Sequence, residues 1–130
     1  MRFKIHSEKS RDAALFTLEA HGSDELARGL RKNIDFLNRV RFLDMKEKQV
    51  LLRHVSLDKL IYAMRLCDRS AIRALYQGLS TGLKQDIALC FADELSLKDV
   101  KEIQDFIIPK LKYMWKAGKI SLREKRDLYV

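Results

Sequence analysis

Residues 56–90 read SLDKLIYAMRLCDRSAIRALYQGLSTGLKQDIALC. Apolar side chains recur here with a helical rhythm, yet residues suited to start a helix keep returning: Ser56, then Asp68 or Ser70, then Ser80 or Thr81. A side-chain oxygen at such a position accepts from backbone amides that the first turn of a helix leaves without partners. The stretch therefore predicts short helices in succession instead of one long one. Leu57, Leu60, Ile61 and Met64 face inward in the first, and Ile72, Leu75, Tyr76 and Leu79 in the second. Leu83, Ile87 and Phe91 follow in the next, and Gly78 is placed to stop the helix before it.

The same punctuation continues on both sides. Ser23, followed by Asp24 and Glu25, starts a helix whose face carries Leu26, Leu30, Ile34 and Leu37. Asp44 and Glu47 have capping-box spacing and open a helix through Val50, Leu51 and Val55. Residues 12–20 form a further expected helix, whereas residues 2–5 are too few to assign. Ser96 and Asp99 open the last and longest helix, expected to reach Gly118. Val100, Ile103, Ile107, Leu111 and Met114 fall on one stripe of it, opposite Lys98, Lys101, Lys112, Lys116 and Lys119. Pro109 lands on the outer face, where water replaces the lost backbone bond, so one bent helix is expected and not two.

Composition agrees with an all-α globular chain. Of 130 residues, 47% are hydrophobic and 34% charged, only Pro109 and five glycines interrupt the pattern, and no β-type alternation runs for long. Length fits one domain with a core of its own. Lys and Arg number 26 against 18 Asp and Glu, a net charge of +8. That surplus suits nucleic acid, an anionic membrane surface or an acidic protein, and selects none of them. Cys67 and Cys90 sit in apolar helical runs and are expected buried and unpaired; no signal peptide or membrane span is read.

Chemistry-bearing patterns are missing. His6, His21 and His54 are scattered without a ligand-spaced partner, so no metal site is expected. GLSTGLK at residues 78–84 has one residue too few between its glycines for a phosphate loop. It also lacks the hydroxyl residue after the lysine, and follows a helix where such loops follow a strand. No nucleophile signature or dinucleotide loop is present, so neither catalytic residues nor cofactors are assigned. KLKYMWKAGK at residues 110–119 interleaves basic and aromatic residues, the one feature favouring a basic helical nucleic-acid-binding domain as the alternative. Its bland reading, a solvated lysine face behind a core stripe, weighs more. Ile108 and Trp115 flank that stripe as candidate edge contacts, covering Ile120, Leu122, Leu128 and Tyr129 or meeting a partner.

The order of short helices between Leu15 and Leu122 resembles the C-terminal part of the flagellar motor switch protein FliG. GSDELARGLRKNIDFLNRVRFLDMKEKQVLLRHVSLDKLIYAMRLCD, residues 22–68, follows that family's pattern without a gap. LSLKDVKEIQDFIIPKLKYMWKAGKI, residues 95–120, is similar to its closing helix. The resemblance implies an armadillo-like superhelix of short helices ending in a six-helix bundle. Residues 1–22 would hold the last armadillo-like helix, 23–122 the domain itself and 123–130 a charged tail. It also implies a non-enzymatic, cytoplasmic protein-interaction domain, working at the cytoplasmic face of the inner membrane beside the basal body. Its partners would be other switch proteins and the stator, with nucleic acid the alternative partner.

Residue by residue, the family's hinge matches Ile34, Asp35, Phe36 and Leu37, with a carboxylate where the family has Phe. Its first partner-facing basic residue matches Arg65. Its later charges align with Gly82, Cys90, Phe91 and Ser96, leaving Lys84, Asp86, Asp93 and Glu94 as the charges expected to share a ridge with Arg65. With so few retained, direct torque generation is not expected.

Overall fold

A computed structural model describes residues 2–77 and 94–124. The described residues form six α-helices and one two-stranded antiparallel ribbon: β1 (Arg2–Phe3), α1 (Glu8–Ala20), α2 (Asp24–Leu37), α3 (Met45–His54), α4 (Leu57–Ala63), α5 (Arg69–Tyr76), β2 (Leu95–Ser96) and α6 (Leu97–Lys116). Short 3-10 turns follow α2 (Asn38–Phe42) and α4 (Met64–Leu66). The fold class is all-α, as expected. The helix expected after Ser80 or Thr81, the stop at Gly78, and Cys90 lie outside the described residues.

Local chemistry sets the boundaries. Asp44 caps α3 in a reciprocal box: its carboxylate accepts from the Glu47 amide at 2.8 Å, and Glu47 Oε1 accepts from the Asp44 amide at 3.1 Å. Helix α1 begins at Glu8, earlier than the sequence suggested, because Ser7 and Ser10 make the same kind of box from two hydroxyls. Gly22 (φ 83°) and Gly118 (φ 77°) terminate α1 and α6 in the left-handed region. Ser23 N–H returns to Leu18 C=O, and Lys119 N–H to Met114 C=O, closing both ends as Schellman motifs. Ser23 and Ser56 occupy their expected cap positions but make no side-chain cap bond.

Packing divides the interior into two apolar clusters. One joins Leu15 and Leu18 of α1, Leu30 and Ile34 of α2, Leu66, Leu95, and the first turn of α6 at Leu97 and Val100. The other joins Leu37, Leu51, Leu60, Met64 and Leu75 to Ile107, Leu111 and Met114, with Ile120 and Leu122 closing over it. Helix α6 runs unbroken through the exposed Pro109 and spans both clusters. Where it passes from one to the other it carries Gln104, which is fully buried. Gln104 Nε2 donates to Ala63 C=O at 3.1 Å and its Oε1 accepts from Asn33 Nδ2 at 3.1 Å. Both ends of a buried amide are thereby satisfied, as burial of a polar group requires.

The N-terminal ribbon completes the frame. Arg2 pairs with Ser96 and Phe3 with Leu95, so the start of the chain is fastened beside the start of α6. Ser96 is at once the last residue of β2 and the cap of α6, accepting from the Asp99 amide at 3.4 Å.

Candidate interaction site around Arg65

Arg65 lies in the 3-10 turn between α4 and α5 and is only 5% exposed. It was expected on an outward ridge. A 3-10 turn does not continue the face of the helix before it, so helical spacing does not set the direction of its side chain. The side chain lines a cleft of about 280 Å³ instead. Ile5 to Glu8 and Arg11 form one wall, and Arg69, Ile72, Arg73 and Tyr76 of α5 form the other. Leu66 and Cys67 complete the lining. Four arginines, Arg11, Arg65, Arg69 and Arg73, are thus among the lining residues, with Glu8 beside them.

The two walls are tied together. Arg11 Nη1 donates to Asp68 Oδ1 at 2.9 Å and to Leu66 C=O at 3.0 Å. Arg69 donates through its guanidinium to His6 C=O, and its backbone amide donates to Glu8 Oε1 at 3.3 Å. Burial works against the Arg11 charge, but the hydrogen bonds and charges of Asp68 and Asp12 outweigh it and hold its pKa above the ordinary value. Asp68 is the N-cap residue of α5, yet its carboxylate goes to Arg11 and makes no cap bond. Asn38, buried in the turn after α2, holds the cap residue by its backbone: its Oδ1 accepts from the Asp68 amide at 2.8 Å, while the Ala71 amide of the first turn donates to Asp68 C=O at 3.0 Å. Burial pushes the Cys67 thiol well up from its usual range, so it is a packing group and not a nucleophile.

The opposite end of α5 is held by a buried cation. Lys48 of α3 is 6% exposed and donates to the C=O groups of Ala74 and Gln77, where a helix C-terminus favours positive charge. Burial lowers its pKa, partly offset by Asp44.

The remaining sequence candidates fall elsewhere. Glu94 is exposed immediately before β2, while Lys84, Asp86 and Asp93 lie outside the described residues. Ile34, Asp35, Phe36 and Leu37 form the last turn of α2, an intact helix that passes into a 3-10 turn at Asn38. Ile34 belongs to the first apolar cluster and Leu37 to the second, so this segment sits where the two meet. Ile108 is buried in the second cluster with Ile120 and Leu122. Trp115 is half-buried beside Phe36, ring centroids 6.4 Å apart, with Arg39 and Arg123 each within 6 Å of its ring. Two candidates from separate parts of the chain, Phe36 and Trp115, are therefore neighbours; Arg65 belongs to a different face.

Sequence reading missed Arg11, Asn38 and Arg69, whose bonds reach 30 to 63 residues along the chain. Gln104 did leave a signal, being a polar residue bordering the apolar stripe of α6. Among the described residues, no three His, Cys, Asp or Glu side chains gather as metal ligands would, and no helix is long and apolar enough to cross a membrane.

Compared with known families, residues 18–122 match the FliG C-terminal domain. No curated protein sequence and no solved structure shows a significant match. The match covers well over half of the chain, including Arg65 and the α5 wall of its cleft but not the wall formed by Ile5 to Arg11, so the chain belongs to the FliG C-terminal domain family, a family of flagellar motor switch components and not of enzymes.

Proposed function

We propose that this chain serves a flagellar switch assembly as a non-catalytic docking domain, supporting assembly or switching more than torque. The observation that carries this reading is the position of Arg65. The basic residue that matches the family's partner-facing charge is 5% exposed and lines a cleft whose walls are tied by Arg11–Asp68 and Arg69–His6. A charge held in this way favours a fitted contact. Torque by sliding charges calls for several side chains on an open ridge, each exposed pair contributing only about 0–1 kcal/mol. Under this reading the partners are other switch proteins, the place is the cytoplasmic face of the basal body, and Ile34 to Leu37 act as the hinge between the two apolar clusters.

Grafting the whole chain, with the 1–22 segment that carries Arg11, in place of the matching domain of a full FliG tests the proposal. Basal bodies should assemble while swimming is poor or absent. Gly82→Arg with Cys90→Asp, which restores charges at family positions, should improve rotation more than assembly. Normal swimming from the unmodified graft, unchanged by Arg65→Glu with Asp93→Lys, would overturn it; so would failure to assemble despite a folded domain.

A further inference from the structure

The C-terminal half of α6 carries a surface that the switch reading does not use. From Phe106 to Arg123 the sequence contains Lys110, Lys112, Lys116, Lys119 and Arg123 and not one Asp or Glu. The acidic residues of α6, Asp99, Glu102 and Asp105, all lie in its first half. On the basic half, Phe106 is 51% and Tyr113 70% exposed. They stand seven residues apart, two turns and about 10 Å along the axis, with Pro109 exposed between them. Lys59 of α4 adds a further cation, its ammonium 4.6 Å from the Phe106 ring centroid, and Lys110 lies 4.1 Å from the same centroid.

We infer that this strip docks on an anionic lipid surface. An exposed helix face with two projecting aromatic rings, Lys59, Lys110 and Lys116 beside them, and Lys112 further round over Phe36, suits a flat headgroup layer: rings enter the interface, and long lysine stems reach back to phosphates. Nucleic acid fits less well. Stacking along a strand needs several free aromatic faces, and two ammonium groups already lie over Phe106 while Trp115 has Arg39 and Arg123 over its ring, which leaves the single ring of Tyr113. Charge makes the strip distinctive. Phe16 of α1 is just as exposed, at 68%, but both its charged helical neighbours, Asp12 and Glu19, are acidic, whereas Phe106 has Glu102 on one side and Lys110 on the other and Tyr113 has only Lys110 and Lys116. With only two rings to insert, attachment should be reversible and dependent on anionic lipid. The inference does not depend on the switch role.

Co-sedimentation of the whole 130-residue chain with vesicles tests it. Vesicles of phosphatidylcholine with one-third phosphatidylglycerol should carry down the protein at least about tenfold more effectively than phosphatidylcholine alone, and added salt should release it. Lys110→Glu with Lys116→Glu should reduce binding by about tenfold or more. Phe106→Ser with Tyr113→Ser should reduce it while leaving the salt dependence in place. Phe16→Ser should have no effect. All of these positions are exposed, and circular dichroism checks that each variant is folded. Equal binding to both vesicle types, no binding at low salt, or tighter binding to a single-stranded oligonucleotide than to anionic vesicles would each overturn the inference. So would loss of binding in Phe16→Ser.

Discussion

Glu47 Oε2 accepts a hydrogen bond from the Ser121 backbone amide at 2.5 Å, across 74 residues of sequence. Its other oxygen accepts from the Asp44 amide within the cap of α3. One carboxylate therefore holds a helix start and also fastens the segment through which Ile120 and Leu122 cover the second cluster. Glu47→Ala should cost about 1–2 kcal/mol through the cap alone, with a further loss from the released segment. Glu47→Gln replaces one of the two accepting oxygens by a donor, so its stability should fall between that of the parent and that of Glu47→Ala. Chemical denaturation gives the ordering, and hydrogen exchange at the Ser121 amide should accelerate more than exchange within α3. Unchanged exchange at Ser121 would show that the clamp is ineffective.

Gln104 is the polar tie between the two clusters, and its bonds reach both α2 and α4. Gln104→Ala opens a cavity and strands the Ala63 carbonyl, at a cost of about 3 kcal/mol. Gln104→Leu refills the space but leaves the polar partners behind, so about 1–2 kcal/mol is expected. Asn33→Ala should cost less than about 1 kcal/mol, because Asn33 is partly exposed and water can replace it. Urea titration followed through Trp115, the sole tryptophan, would reveal the order; an equal cost for Asn33→Ala and Gln104→Ala contradicts it.

The parts of the fold that sequence made legible are those whose chemistry is local. Asp44 and Glu47 lie within one turn, and their spacing already specifies both cap bonds. The stripe from Val100 to Met114 repeats often enough to point α6 inward, and its buried side is the one expected. Ser7 and Ser10 were overlooked because a second serine does the work that Glu or Gln usually signals. The ribbon between Phe3 and Leu95 is two residues long, too short for alternation to show. Arg65 is the instructive case. The family resemblance implies an outward, partner-facing position, but the residue falls in a 3-10 turn and lines a cleft between α1 and α5, which no local pattern connects.

Asp105 supplies a pH dependence with a definite sign. Burial alone would raise its pKa, but hydrogen bonds from Lys101 at 2.5 Å and Asn33 at 3.1 Å hold it below the ordinary 3.8. An unfolded chain then takes up this proton at higher pH than the folded one. Its stabilising contribution is complete above 3.8 and fades as pH falls through the lower folded value. Half exposure of the carboxylate keeps the effect small. Asp105→Asn should therefore lower stability at neutral pH, and its difference from the parent should shrink as the solution is acidified below 3.8. Urea titrations at a series of pH values measure this; a difference that grows on acidification would reverse the assignment.

The Arg11–Asp68 pair bridges the two walls of the cleft. Arg11 and Asp68 are 14% and 28% exposed at the side chain, so the pair is shielded more than a surface contact but not fully desolvated. Arg11 also serves the Leu66 carbonyl, which Asp68 does not replace. Arg11→Met keeps most of the apolar stem and removes the donors, and should cost about 1–3 kcal/mol. Asp68→Asn should cost less, because its amide oxygen can still accept from Arg11 and the side chain makes no cap bond to α5 that would be lost. A double-mutant cycle should return a coupling of about 1–3 kcal/mol, above that of an exposed pair. In the FliG graft, Arg11→Met should impair assembly at temperatures where the domain is still folded, because the wall of the cleft moves while Arg65 itself is untouched. A coupling near zero, with assembly unchanged in Arg11→Met, would mean that the walls hold without this bridge and that the docking proposal must rest on Arg65 alone.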